Sequence, residues 1–328
     1  MAINYFLIVL SGLLGGIVFV FLFRRLTARY KILTQQGMPL IGGMSMGLSF
    51  VLACLFSSFL YRSLPQEVRG IIFASVLMLI FGVIDDWREL SIIAKFLVQI
   101  IATALLVLFG IKTQIVYIGN VLNIMITFIW VLAITNAFNH LDVMDGLASS
   151  TAMITSLAFF TISILNQDTK TAILSLALSG AVFSFLIYNL PPAKIYMGNS
   201  GSHFLGFVLA AIALVISYAP LERKIALLSP LLILGLPIFD TAFLILIRMR
   251  KNKLPFEKSK DHLALRFLAL GYSKKKALLL MLTLALFFSV CGIFLSQASN
   301  LFGLSVVIFA VLMSLIITYR MGRVCVDG

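Results

Sequence analysis

Uncharged apolar runs of roughly 20 residues recur along the whole chain, and they leave few folds open. A bilayer's hydrocarbon core is about 30 Å thick, and about 20 apolar residues in an α-helix cross it. Inside that core every backbone polar group must be satisfied within the protein, so spanning elements are helices or closed barrels. Runs this long and continuous fit helices. Eleven are expected to span, at 3–23, 41–60, 70–84, 93–111, 120–138, 147–165, 171–189, 203–219, 224–247, 275–295 and 301–320. The chain is therefore read as all-α and polytopic, a single transmembrane domain over residues 1–328. The longest polar stretch, 248–276, is too short for a soluble domain, and no internal repeat is visible.

Composition supports this reading. The chain is 61% hydrophobic and 11% charged, against about 45–50% and about 25% for soluble domains. Soluble globular, disordered and disulfide-scaffold classes are excluded. Cys54, Cys291 and Cys325 lie far apart with no metal-ligand spacing. The first run ends in Arg24 and Arg25 without a small-residue cleavage site, so it reads as a retained anchor.

Charge sets the orientation. Placing the N-terminus outside puts 19 of the 25 Lys and Arg residues in cytoplasmic segments, ten of them between Arg248 and Lys276. This asymmetry follows the positive-inside rule and puts the C-terminus in the cytoplasm. The net charge of +13 is thereby absorbed by the membrane surface, and no nucleic-acid partner is expected.

The unusual polar residues all fall on the cytoplasmic side of this topology. Asp85 and Asp86 end the third run, where the helix dipole disfavours carboxylates. A nearby cation would explain them; so would an ordinary solvated helix end beside Arg88. Asn136, Asn139, Asp142 and Asp145 recur every three residues, a spacing that shares a helix face. Their hard oxygens suit Mg²⁺ and hydroxyl groups, although Asp145 also fits a simple helix cap. Gly198-Asn199-Ser200-Gly201-Ser202 precedes the eighth run. Its backbone N–H groups are expected either to cradle phosphate or to form an ordinary capped turn. Lys95 stands at the membrane edge, fit to grip a phosphate or to snorkel. Asp240 is an intramembrane carboxylate, with a helix–helix hydrogen bond as its plain alternative. Gly12 with Gly16, and Gly43 with Gly47, read as sites of close helix packing.

The order Asp85-Asp86, Asn136-x-x-Asn139-x-x-Asp142-x-x-Asp145-Gly146, Met197-Gly198-x-x-Gly201-Ser202, then a basic loop with His262, resembles the polyprenyl-phosphate N-acetylhexosamine-1-phosphate transferases. That family includes undecaprenyl-phosphate GlcNAc-1-phosphate transferases and phospho-MurNAc-pentapeptide transferases. The resemblance runs from Pro39 to Arg266 and implies a multi-pass plasma (inner) membrane enzyme with its site facing the cytoplasm. It implies transfer of a sugar 1-phosphate from a UDP-sugar to undecaprenyl phosphate, with release of UMP, as the first membrane step of a cell-envelope glycan pathway. Mg²⁺ is the implied cofactor, with Mn²⁺ as an alternative, and a homodimer is allowed without being specified.

Carried over residue by residue, Asp85, Asp86 and His262 are catalytic candidates. Lys95, Asn136, Asp142, Asp145, Ser202 and Arg266 are substrate-binding candidates, and Asn139 and Asn199 are metal ligands. Asn199 stands where the family usually has aspartate. Ser259 and Leu265 replace the aspartate and second histidine of an Asp-x-x-His-x-x-His loop. These departures favour the simpler N-acetylhexosamine branch over the MurNAc-pentapeptide enzymes, and they motivate a non-catalytic alternative. A transporter is disfavoured by polar clusters confined to one face and by the lack of a repeat.

Overall fold

The computed structural model describes residues 2–30, 33–35, 37–218, 223–252, 261–324 and 326. It is all-helical apart from a hairpin of two two-residue strands, β1 (Thr34–Gln35) and β2 (Met38–Pro39). Among the described residues, nine helices are long and apolar enough to cross a membrane. They are α1 (Ala2–Tyr30), α2 (Gly42–Tyr61), α3 (Gln66–Trp87), α5 (Gly119–Leu141), α6 (Leu147–Leu165), α7 (Thr169–Asn189), α8 (Gly198–Val215), α12 (Lys274–Gln297) and α13 (Asn300–Met321). The chain is a multi-pass membrane protein. Several starts carry the side-chain caps that helices need: Ser91, Asp168, Ser273 and Ser299 each accept a backbone N–H three residues on.

Two expected spans differ from the rest. The fourth, α4 (Ile92–Leu108), has only 17 residues. The ninth, expected to be continuous over 224–247, is broken. A 3₁₀ turn (Lys224–Leu228) and α9 (Ser229–Ile233) meet α10 (Gly235–Arg250) at 72°. Pro237 is the cause. Proline has no N–H for the carbonyl four residues back and clashes with it. The orphaned Ile233 carbonyl instead faces the hydroxyls of Thr155 and Ser289, at 3.5 and 3.4 Å. With the bent pair taken as one span the count is ten.

Helices α7 and α8 form the buried centre. Helix α1 packs on α2 and α7, and α8 is held between α3 and α5. Small residues make this closeness achievable, as the glycine spacing suggests. A Cβ on Gly12 would lie 3.1 Å from the Ala177 carbonyl of α7. One on Gly47 would overlap the Leu79 side chain of α3. Because successive helices run up and down, α3, α5 and α7 end, and α4, α6 and α8 begin, at the same end of the bundle. The sequence clusters lie at that end.

Candidate active site

The start of α8 is the pivot of the site. The segment before it runs beside the start of α2: Gly42 N and Gly43 N donate to the Tyr196 and Met197 carbonyls, both at 3.0 Å. Gly43 from α2 and Gly82 from α3 both press on Ser200, where any side chain on either glycine would overlap it. Gly198 has φ +72°, a left-handed conformation that side chains rarely adopt, and a Cβ there would meet Asp86 Oδ1 at 2.8 Å.

Asp86 fills the space so created. Its carboxylate accepts Asn199 N at 2.6 Å and Ser200 N at 3.1 Å. Of the two alternatives for Gly198-Asn199-Ser200, a phosphate cradle or an ordinary capped turn, the structure shows a cap supplied from another helix: those amides hold the Asp86 carboxylate. The acidic pair is not electrostatically stranded either. Asp86 faces the positive end of the α8 dipole. Asp85, buried, pairs with Lys95 at 2.6 Å and accepts Leu90 N at 2.8 Å. Lys95 therefore serves Asp85 first. An ammonium has three protons, so it retains two for another partner, and its side chain is one-fifth exposed.

A polar cavity of about 430 Å³ opens beside Asp86. Six of the sequence candidates line it: Asp86, Asn139, Asp142, Asp145, Asn199 and Ser202. Ser202 Oγ donates to Asn139 Oδ1 at 2.9 Å, tying α8 to α5. Asp145 accepts Ala193 N at 3.2 Å. It does not cap α6, whose N-cap is Gly146 with no side-chain bond. The exposed surface of Asp142 faces the cavity. Enclosure by protein, then the charges of Asp145 and Asp86, push its carboxyl up to about 7.

Asn189 also lines this cavity and was missed in the sequence. It accepts Gly146 N and Ser149 Oγ at 3.0 and 2.9 Å and donates to the Ile195 carbonyl at 3.2 Å. It fastens the α6 start to the segment before α8, and no motif marks it.

The cavity's donors are carboxylate, amide and hydroxyl oxygens, the chemistry of a hard cation such as Mg²⁺. Among the described residues no three His, Cys, Asp or Glu side chains form a metal-holding group. The set fits an ion held partly by substrate phosphates, as Mg²⁺ commonly is.

Besides the Asp85–Lys95 pair, three candidates do not line the cavity. Asn136 is engaged between helices: its Nδ2 donates to Gln99 Oε1 and to the Leu132 carbonyl, both at 2.8 Å, and it does not line the cavity. His262 is not on a helix face shared with Arg266. It is the N-cap of α11 (Leu263–Ala269), and its Nδ1 lies 2.9 Å from Asp240 Oδ2. Asp240 Oδ1 accepts Leu263 N at 2.9 Å, so the intramembrane carboxylate holds this corner.

Arg266 points the other way and is fully buried. Its Nη2 reaches Asp261 Oδ1 at 2.8 Å and its Nε the Asp261 carbonyl at 3.2 Å. Its Nη1 donates to the Met321 carbonyl at 2.8 Å and to that of Val324. Where the resemblance implies a role toward substrate, the structure shows its guanidinium engaged within the protein, clamping the α11 corner to the end of α13. Leu265 lies on α11, and Ser259 lies outside the described residues.

The model of glycosyl transferase family 4 matches residues 68–217. A probable undecaprenyl-phosphate N-acetylglucosaminyl 1-phosphate transferase of Bacillus subtilis is 30% identical, over 88% of this chain and 81% of its own. A decaprenyl-phosphate N-acetylglucosaminephosphotransferase of Mycolicibacterium smegmatis is 32% identical, over 75% and 68%. A phospho-N-acetylmuramoyl-pentapeptide-transferase of Halalkalibacterium halodurans is 30% identical over a shorter stretch, 55% and 62%. The family match covers the helices that build the cavity, and the Bacillus relative is matched over most of its length, so the chain belongs to glycosyl transferase family 4.

Proposed function

We propose that the chain transfers N-acetylglucosamine 1-phosphate from UDP-N-acetylglucosamine to a polyprenyl phosphate such as undecaprenyl phosphate, releasing UMP. The observation that carries this reading is the cavity where Asp86, Asn139, Asp142, Asp145, Asn199 and Ser202 meet at one end of an apolar bundle. The names of the relatives matched over most of their length support the sugar and the lipid. The phospho-MurNAc-pentapeptide reading is weaker, since that relative is matched over a shorter stretch.

In the proposed reaction an oxygen of the lipid phosphate attacks the β-phosphorus of the sugar nucleotide. The bond from that phosphorus to the bridging oxygen breaks, and UMP leaves with the bond's electrons. Two anions must meet at a membrane edge, where repulsion is severe. Bound Mg²⁺ would neutralise phosphate charge there; Asn139, Asn199 and Asp142 would hold it, with Asp86 beside them. Lys95 keeps Asp85 in place and offers its remaining protons to a phosphate. The cavity takes the sugar nucleotide, and the prenyl chain stays in lipid. The site faces the cytoplasm of a plasma membrane in this reading, supported by the charge asymmetry of the loops.

The test is UMP release by purified protein given polyprenyl phosphate and a panel of UDP-sugars with Mg²⁺. Release with UDP-N-acetylglucosamine supports the proposal, and release with another UDP-sugar alone replaces the substrate. Asn199, at the position of an expected acidic ligand, favours a second reading, a non-catalytic relative. No release with any sugar, beside an active relative in the same assay, would establish it.

A further inference from the structure

Helix α4 is short, and polar groups fasten it at two heights. It packs on α3 and α5. One face carries Ile93, Leu97 and Ile101, apolar and exposed. The other carries Lys95 and, one turn deeper, Gln99, a spacing of four that shares a helix face. At the upper height Lys95 pairs with Asp85 of α3 at 2.6 Å. At the lower height Gln99, fully buried, meets Asn136 of α5. Asn136 Nδ2 donates to Gln99 Oε1 at 2.8 Å, and Gln99 Nε2 returns a longer bond to Asn136 Oδ1 at 3.4 Å. The rest of the buried face of α4 is Ala102, Thr103 and Leu106, and the Thr103 hydroxyl turns back to the Gln99 carbonyl at 2.7 Å. Helix α5 is itself anchored on α8: Trp130 Nε1 donates to the Ala210 carbonyl at 3.1 Å, and Asn139 accepts Ser202 Oγ at 2.9 Å. Neither the sequence motifs nor the mechanism above uses Gln99.

We infer that Gln99 and Asn136 are positioning residues: their amide pair sets the height of α4 against α5 and so holds Lys95 in place for the phosphate of the lipid substrate. This rests on the transferase reading. Apolar contacts between membrane helices fix height poorly, because lipid tails are as apolar as the helix face they would replace. A buried amide is different. A slide of α4 by one residue's rise, roughly 1.5 Å, would part the two amides where no water can replace the lost bond. Asp85 alone does not prevent such a slide, since it holds an ammonium on a flexible four-carbon stem. Gln99 lies one turn below Lys95, and Asn136 one turn before Asn139 on α5. The pair thus fixes the separation between the ammonium and the candidate metal ligand Asn139. Lys95 suits the lipid phosphate better than the sugar nucleotide. It does not line the cavity, and its neighbours Ile93, Phe96 and Leu97 are exposed and apolar.

The test measures Kd for polyprenyl phosphate and for UDP-N-acetylglucosamine, UMP release and melting temperature. It uses purified native protein and three variants: Gln99→Met, Gln99→Asn, and Gln99→Asn with Asn136→Gln. Methionine keeps the length of glutamine without its amide. Asparagine is one carbon too short to meet Asn136, and the double variant restores the combined length of the pair. Both single variants should bind polyprenyl phosphate about tenfold or more weakly, the scale of a hydrogen bond to a charged group. UDP-N-acetylglucosamine affinity should stay native throughout, and the double variant should recover lipid affinity at least in part. Native lipid affinity in either folded single variant overturns the inference. So does an equal loss for both ligands, which marks a general loosening of the bundle, and so does a double variant that binds lipid no better than Gln99→Asn. Should Gln99→Met fail to fold, Gln99→Asn, which keeps an amide, carries the comparison. If the native protein binds polyprenyl phosphate without releasing UMP, the transferase reading falls and the affinity series still decides the amide pair. If it binds no polyprenyl phosphate, both fall.

Discussion

Arg266 gives the sharpest quantitative test, because geometry and motif assign it different work. The guanidinium is buried and makes bonds to Asp261, Met321 and Val324, and it lies 5.2 Å from the Phe243 ring centre. Removing one partner of a buried ion pair costs about 3–5 kcal/mol. Two replacements soften the loss: Lys251 still holds Asp261 at 2.7 Å, and Val324 N still donates to the Met321 carbonyl at 3.2 Å. The lower end applies, about 3 kcal/mol for Arg266→Ala. At roughly 2–4 °C per kcal/mol, melting should fall by about 6–12 °C. Arg266→Lys keeps the charge but loses the planar fork, so it should fall between native and Ala. Thermal unfolding of detergent-solubilised protein, followed by size exclusion, measures this. An unchanged melting temperature with a raised KM for the sugar nucleotide would refute the reasoning and return Arg266 to the substrate.

Asp86→Asn keeps a good capping side chain at the α8 start but removes the charge. Its melting temperature should stay near native while UMP release drops by about 10²-fold or more; normal release would leave Asp86 as a cap alone. Asp142, whose carboxyl rises from an ordinary 3.8 to about 7, holds its proton in the folded protein at pH values where the unfolded chain has lost it. Stability should therefore decline as pH rises between those values and level off above them. Asp142→Asn should remove that slope in a melting series across pH. Asn199→Asp adds a charge to the cavity wall and should lower the Mg²⁺ needed for half-maximal UMP release; an unchanged titration places residue 199 away from the ion. Single cysteines near His140 and Lys194 should react with impermeant reagent only from the cytoplasmic side, and labelling from outside overturns the proposed orientation.

Much of the architecture could be read from hydrophobicity. Membrane spans carry a strong local signal, because each residue in the hydrocarbon core must be compatible with lipid or a helix neighbour. The break near Leu234 was also written locally, in Pro237, although the run of apolar residues around it hid the signal. The polar clusters were visible because polar groups among apolar helices stand out. Six candidates converge on one cavity. Asn136 and Arg266 do not, since an amide or guanidinium serving a neighbouring helix has the same local sequence appearance as one serving a ligand.

The sequence by itself determined that the chain is a helical membrane protein with a polar site at one end, because hydropathy and motif order are properties of neighbouring residues. Only the tertiary structure decided how the polar groups are paired. Asp86 meets the amides of Asn199 and Ser200 across more than a hundred residues of chain, Asp240 meets His262 from another helix, and His140 lies beside that pair. Hydrogen bonds and ion pairs act over a few ångströms, so their partners are set by which helix ends pack together, a choice no local pattern encodes.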